Sequence, residues 1–299
     1  MKVKLCNKRL NTKSAALCAV VTILVLANGG VLAHDDHSDQ NLPPHETPHS
    51  GHANLAEAAT NPIAKLNQVQ LQNSYSWENH NSSGFSNVSV FQPVIPINLP
   101  WEKVPVMITR TTVPYVTTPD FGDPIGRVRG FGDTNLLMLA VPNLKAKGQQ
   151  LGIGANTVIP TAGDNDFTGS GKWQAGPAVI YINMRTPHLQ WGFLAYQLWD
   201  FASSPGNSNR PGVSKLYLEP LIVKHFDGGW FVGTPDTPQT YDFKSKKWTW
   251  ALGGQVGRVT KIGKQSIKAF GEVLYNPEDD NGPTSEWTFK AGLTLLFPK

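Results

Sequence analysis

Thiols are nearly absent from this sequence. Its two cysteines, Cys6 and Cys18, both lie ahead of residue 34, in a segment expected to be removed. Without them the mature chain has no disulfide, no cysteine-based metal site and no cysteine nucleophile. Cys18 follows Ala15-Ala16-Leu17 inside an apolar run instead of ending it, which opposes lipidation. That run, Ala15 to Leu26, is too short for a membrane-crossing helix, which needs roughly 20 residues. Lys2, Lys4, Lys8, Arg9 and Lys13 precede it and Val31-Leu32-Ala33 follow it. A basic start, a short apolar core and a small-residue end mark residues 1–33 as a secretory signal peptide, with the mature chain starting at His34. Without those five basic residues, 21 Lys and Arg stand against 22 Asp and Glu, a net charge of −1. The basic pI is therefore mostly the signal's, and no nucleic-acid partner is expected.

Residues 34–63 form a polar, proline-bearing tail without strand periodicity, expected to be disordered or only partly packed. Its histidines are His34, His37, His45, His49 and His52. His45-Glu46-Thr47-Pro48-His49 matches the H-E-x-x-H zinc-protease pattern, but that chemistry needs both imidazoles on one helix face. Pro48 inside the motif, with Pro43 and Pro44 before it, opposes such a helix. Loose binding of zinc or copper by these imidazoles, helped by Asp35, Asp36 and Glu46, is the chemistry the composition allows; otherwise no cofactor is implied.

Strong periodicity begins near Lys65. In the last stretch Trp287, Phe289, Ala291, Leu293, Leu295 and Phe297 alternate with mostly polar residues. A period of two makes this a strand with one apolar and one polar face. About twelve such runs of roughly ten residues recur, the length of a tilted strand crossing a bilayer. Two of them are read as Trp230 to Thr240 and Trp248 to Val259. Connections alternate between long polar ones, such as Thr161 to Gly171 and Ala202 to Gly212, and short ones, such as Asp227-Gly228-Gly229. This order predicts an all-β, antiparallel transmembrane β-barrel over residues 64–299, with long outer loops, short periplasmic turns and both termini periplasmic. Tryptophans near strand ends suit a headgroup boundary. Pro93, Pro105, Pro114, Pro177 and Pro220 fall inside the runs, so bulges or broken pairings are expected there.

In such a barrel the polar faces line the lumen. The candidates are Gln68, Gln70, Gln72, Arg110, Asp133, Asn135, Asn156, Lys172, Gln174, Glu219, Gln255, Lys268, Glu272 and Lys290. Charges of both signs either brace a narrow barrel or set the selectivity of a watery path. Gly169-Ser170-Gly171-Lys172 is no phosphate loop, because Asp166 replaces the first glycine and Trp173 the Ser or Thr that would hold magnesium. There is also no Gly-x-Ser-x-Gly elbow, and no enzyme activity is expected.

Several segments together resemble the outer-membrane proteins of the MetA-pathway of phenol degradation family. They include Ala64-Lys65-Leu66-Asn67-Gln68-Val69-Gln70-Leu71-Gln72-Asn73, Pro93-Val94-Ile95-Pro96, Gly130-Phe131-Gly132-Asp133, Gly169-Ser170-Gly171-Lys172-Trp173-Gln174-Ala175-Gly176-Pro177-Ala178 and the closing Trp287 to Pro298. The resemblance spans nearly everything after Thr60. It implies a secreted barrel described as a transporter, and brings neither a defined substrate nor assigned site residues; the expected solutes are small, hydrophobic or aromatic ones among them. The partners expected are outer-membrane lipid, the barrel-insertion machinery and a small-molecule solute. Two alternatives stand beside transport: a non-conducting structural or interaction barrel, and periplasmic metal binding by the histidine tail. The signal reading is checked by the intact mass of the exported protein: the expected chain starts at His34, and a mass that retains residues 1–33 contradicts it.

Overall fold

The alternation that marks the sequence closes on itself in three dimensions. The computed structural model describes residues 49–164, 167–277 and 284–298. The signal segment and His34, His37 and His45 lie outside them. A helix, α1 (His49–Thr60), precedes fifteen strand segments. These are β1 (Asn67–Asn79), β2 (Ser86–Trp101), β3 (Val104–Thr117), β4 (Arg129–Phe131), β5 (Thr134–Val141), β6 (Gln149–Ile159), β7 (Lys172–Thr186) and β8 (Leu189–Ser203). Then come β9 (Ser214–His225), β10 (Trp230–Gly233), β11 (Gln239–Asp242), β12 (Lys247–Thr249), β13 (Leu252–Ile262), β14 (Gln265–Tyr275) and β15 (Ser285–Phe297).

β4 prolongs β5, while β10 with β11, and β12 with β13, each form one interrupted stave, giving twelve staves in all. Every paired neighbour is antiparallel, and β1 runs against β15 from Asn67↔Phe297 to Asn79↔Ser285. The ring is completed where β10 joins β9 to β13. It is a closed antiparallel barrel. One end carries short turns, such as 187–188 and 263–264, and the chain enters and leaves the barrel there. The other end carries longer connections, including 118–128, 160–171 and 204–213.

Side-chain direction obeys the pleat. On β1, Gln68, Gln70 and Ser76 are buried inside, while Leu71, Tyr75 and Trp77 are exposed outside. The outer face is apolar, with exposed Phe91, Ile95, Ile153, Trp191, Phe193, Ile222, Val256 and Leu293. Its polar interruption is satisfied internally, because the Asn73 and Asn87 side chains donate amide hydrogen bonds to each other at 3.0 and 2.9 Å. Paired amides leave fewer bare polar atoms to face an apolar surrounding.

One expectation is met in part and one is corrected. Pro93, Pro114, Pro177 and Pro220 all sit in register with a neighbour, whereas beside Pro105 the β2–β3 register shifts between Asn98↔Val106 and Trp101↔Val104. At Pro93 and Pro177 pairing lapses on the other side and resumes in the same register. There a lost ladder donor costs locally without shifting the strand. Second, the runs read as Trp230 to Thr240 and Trp248 to Val259 are not continuous. Residues 234–238 leave the wall between β10 and β11, and 250–251 leave it between β12 and β13.

The interior divides into halves. At the short-turn end it is apolar: Val94, Val106, Ile108, Leu137, Leu139, Ile180, Ile182, Leu194 and Leu221 meet one another and Ile63. Helix α1 fills the mouth below. Ala and Leu favour the helix, which begins one residue past Pro48, and its Ala56 and Ala59 let it approach Val223, Phe231, Val259 and Leu296 closely. The Phe231 ring in turn needs Gly257, since a Cβ there would meet it at 2.3 Å. The backbone of α1 carries His49 and His52.

Packing inside and exposure outside make a sharp contrast in stability. Ile180, with no exposed surface, is expected to cost about 2–5 kcal/mol when changed to alanine. Ile222→Ala, at a half-exposed outward position, is expected to cost much less in detergent. Guanidine unfolding of both variants in the same micelles checks this, and equal losses would contradict the division.

Candidate functional site

Above the apolar half, the inward positions become charged. Glu272 on β14 and Lys290 on β15 are direct cross-strand partners, and their side chains meet at 3.5 Å, almost wholly buried. Opposite charges facing each other across a ladder attract. The pair does not stand alone. Residues Thr234-Pro235-Asp236-Thr237-Pro238, which left the wall, turn inward onto it. The Asp236 amide donates to Glu272 Oε1 at 3.0 Å, and Thr237 Oγ1 accepts from Lys290 Nζ at 3.2 Å. Lys290 also donates to the Asp236 carbonyl. Two prolines three apart explain the excursion, because neither can donate to a ladder.

Side chains repair the wall that this excursion opens. Gln239 donates to the Ala251 carbonyl at 3.0 Å and accepts from its amide at 2.6 Å, imitating a backbone pair. Gln255 donates to the Thr234 carbonyl, and Asn276 accepts from the Trp250 amide. Backbone groups freed by the break are thus satisfied.

The sequence-derived candidates fall into four groups. Lys268, Glu272 and Lys290 lie buried on adjoining inward positions, with Lys268 Nζ 5.2 Å from the Phe270 ring centre. Gln70 joins Gln68, Gln72 and Gln92 in an amide ladder inside the barrel. Asp133, Lys172 and Gln174 belong to the long-loop end. Asp133 accepts from the amide and hydroxyl of Ser170, both at 2.7 Å, and Gln174 donates to the same hydroxyl. Lys172 is tied to Ser203 Oγ at 2.8 Å. Asp133 therefore ties the 160–171 connection to the wall.

Arg110, Asn156 and Glu219 lie at mid-height. Asn156 has no exposed surface, and neither of its amide atoms has a partner among the described residues. Arg110 Nε and Glu219 Oε1 are likewise buried without one. Unpaired buried polar atoms are costly. Sequence reasoning missed Asp236 and Thr237, whose only signal was the Thr-Pro pair at each end of the segment.

Between this charged layer and the long-loop end lies a cavity of about 420 Å³. Ser74, Ser76, Thr240, Thr249, Glu286 and Thr288 are among its lining residues. His80 Nδ1 stands 3.8 Å from Glu286, and His80 Nε2 is 3.0 Å from the Asn276 carbonyl. At the opposite end Thr60 Oγ1 donates to Gln190 Oε1 at 3.0 Å and lies 3.2 Å from His225 Nε2, while Gln190 donates to the Glu57 carbonyl at 2.7 Å. These bonds latch α1 to the wall. Among the described residues no cluster of three metal-ligating side chains occurs.

The barrel geometry agrees with solved structures. The COG4313 outer membrane channel from Pseudomonas putida F1 matches with a TM-score of 0.55 at 14% identity, covering 78% of this chain and 94% of that one. This chain has the fold of outer-membrane barrels. Outer membrane phospholipase A from Escherichia coli aligns over 82% of this chain and 97% of its own, at 11% identity and a TM-score of 0.42. No protein-family model and no curated protein matches the sequence. The phospholipase barrels correct the expectation that no enzyme activity is present.

Two substitutions separate the interior's paired and unpaired groups. Lys290→Met strands the buried Glu272 carboxylate and is expected to cost about 3–5 kcal/mol. Asn156→Leu removes an unsatisfied amide at similar size and is expected to be neutral or stabilising. Unfolding free energies in detergent decide; a destabilising N156L would mean that the amide has a partner.

Proposed function

We propose that this protein is an outer-membrane channel for small solutes whose resting state is closed by its own N-terminal segment. The short-turn end then faces the periplasm, the long loops face outward and the apolar wall meets lipid. The barrel-insertion machinery would place it there. The observation that carries this reading is the filled short-turn half, where Ile63 and the helix residues Ala56 and Ala59 pack against inward apolar side chains. A solute entering from the loop end reaches a cavity, then the Lys290–Glu272–Asp236 layer, and then this plug.

The plug is built to leave. Small side chains give it shallow packing, and its polar fastening is confined to one side of the mouth, running from Thr60 and Glu57 to Gln190 and His225 and from Asn61 to Gln150. The orphaned polar atoms of Arg110, Asn156 and Glu219 add to this. Their burial penalises the closed state, and water admitted by opening would relieve it. The residues proposed to line the opened path are Gln70, Arg110, Glu219, Lys268, Glu272 and Lys290. The resemblance of several sequence segments to the phenol-degradation outer-membrane family supports transport as the task.

The test is single-channel recording in planar bilayers. Full mature protein is expected to conduct rarely and briefly. A form lacking residues 34–60, and the latch variant Gln190→Ala, are expected to show longer open times. Indistinguishable currents from all three, in protein shown to be inserted, would defeat the plug reading; silence from all three would defeat the channel.

A further inference from the structure

The cavity at the long-loop end has a lining that selects one chemical class. Among the described residues, nine of its seventeen lining residues carry a hydroxyl, set among the apolar Val88, Pro238, Trp250, Ala251 and Leu274. The hydroxyls come from two groups of strands on either side of β14. Ser74 and Ser76 lie on β1 and Thr288 on β15, while Thr240 and Thr249 face each other across the β11–β12 pair. Ser76 and Thr288 lie 2.6 Å apart and share one hydrogen bond. The hydroxyls of Ser74, Thr240 and Thr249 have no hydrogen-bond partner among the described residues, so they are available to the cavity.

Three solute classes can be weighed against this lining. Ions find little purchase at this level, because the two charges just below are already engaged: Lys290 is held by Glu272, Thr237 and the Asp236 carbonyl, and Glu272 also accepts from the Asp236 amide. Glu286, the one charged residue among the described lining residues, stands beside His80. Apolar solutes would strip water from the hydroxyls and return no hydrogen bond, which is unfavourable. A neutral solute dense in hydroxyls replaces those bonds, since each Ser or Thr both donates and accepts. The volume, about 420 Å³, falls within the roughly 300–1,000 Å³ of small-molecule sites.

The geometry points to a binding site for a neutral polyhydroxylated solute, a polyol or small saccharide, in this outer cavity. The site is formed by Ser74, Ser76 and Thr288 on one side and Thr240 and Thr249 on the other. It names a solute class for the channel proposed above, and rests on that reading for passage of the bound solute through the barrel. Binding itself is measured without transport, so the two fail separately.

The experiment is saturation-transfer NMR on the refolded full-length mature protein, in a detergent without a sugar headgroup. The probes are sucrose, benzyl alcohol and citrate. Sucrose is expected to give saturable transfer that the other two neither match nor displace. The double variant Thr240→Val/Thr249→Val keeps side-chain shape while removing two hydroxyls, and is expected to weaken sucrose binding roughly tenfold. Ser76→Ala/Thr288→Val, on β1 and β15, is expected to do the same, so that misfolding of one variant leaves the other to decide. Heat-modifiable gel mobility reports folding. No saturable sucrose signal, tighter binding of benzyl alcohol or citrate, or sucrose binding that folded variants of both groups retain would each overturn the site. Sucrose binding without any bilayer current would retain the site and defeat the channel.

Discussion

Closure of the ladder is the constraint on which the rest depends. β1 pairs with β15 along its whole length, so the first and last strands have no free edge, and the hydrogen bonds of every stave are met by its neighbours. A closed wall of twelve staves encloses an interior that must be filled or wetted. The chain does both: it packs apolar side chains and a helix into one half, and distributes charge and hydroxyls through the other. The Lys290–Glu272 pair serves this division, because it gives the inward segment 234–238 something to bond to.

The interruptions in the wall obey the same rule. Where residues 234–238 turn inward, the neighbouring staves lose backbone partners, and Gln239, Gln255 and Asn276 supply them from side chains. Amides suit this work because each carries both a donor and an acceptor. The break and its repair are therefore one feature, and an apolar residue at 239 would leave the Ala251 amide and carbonyl bare.

Much of the wall was legible in the sequence because period two is a local signal. The alternation from Trp287 to Phe297, and that of Gln68, Gln70 and Gln72, identifies strands and faces without knowledge of the partners. Once the β14–β15 hairpin is placed, register alone sets Glu272 opposite Lys290. The interior was less legible. Asp236 meets residues 36 and 54 positions away, and nothing near it in the chain fixes that meeting. The apolar start at Trp230, Phe231 and Val232 concealed the break, although Pro235 and Pro238 marked it. Helix α1 was hidden for a similar reason: its small apolar face is defined by the barrel mouth into which it fits.

Helix α1 also bears on the order of assembly. It comes first in the chain, yet it docks against Val223, Phe231, Val259 and Leu296, which belong to the last third. It has no seat until those strands stand together. The segment made earliest must wait, unseated, while the wall forms, and it settles only when the last strand meets the first. Folding this barrel therefore ends where the chain begins, and its first residues register that the ring has closed.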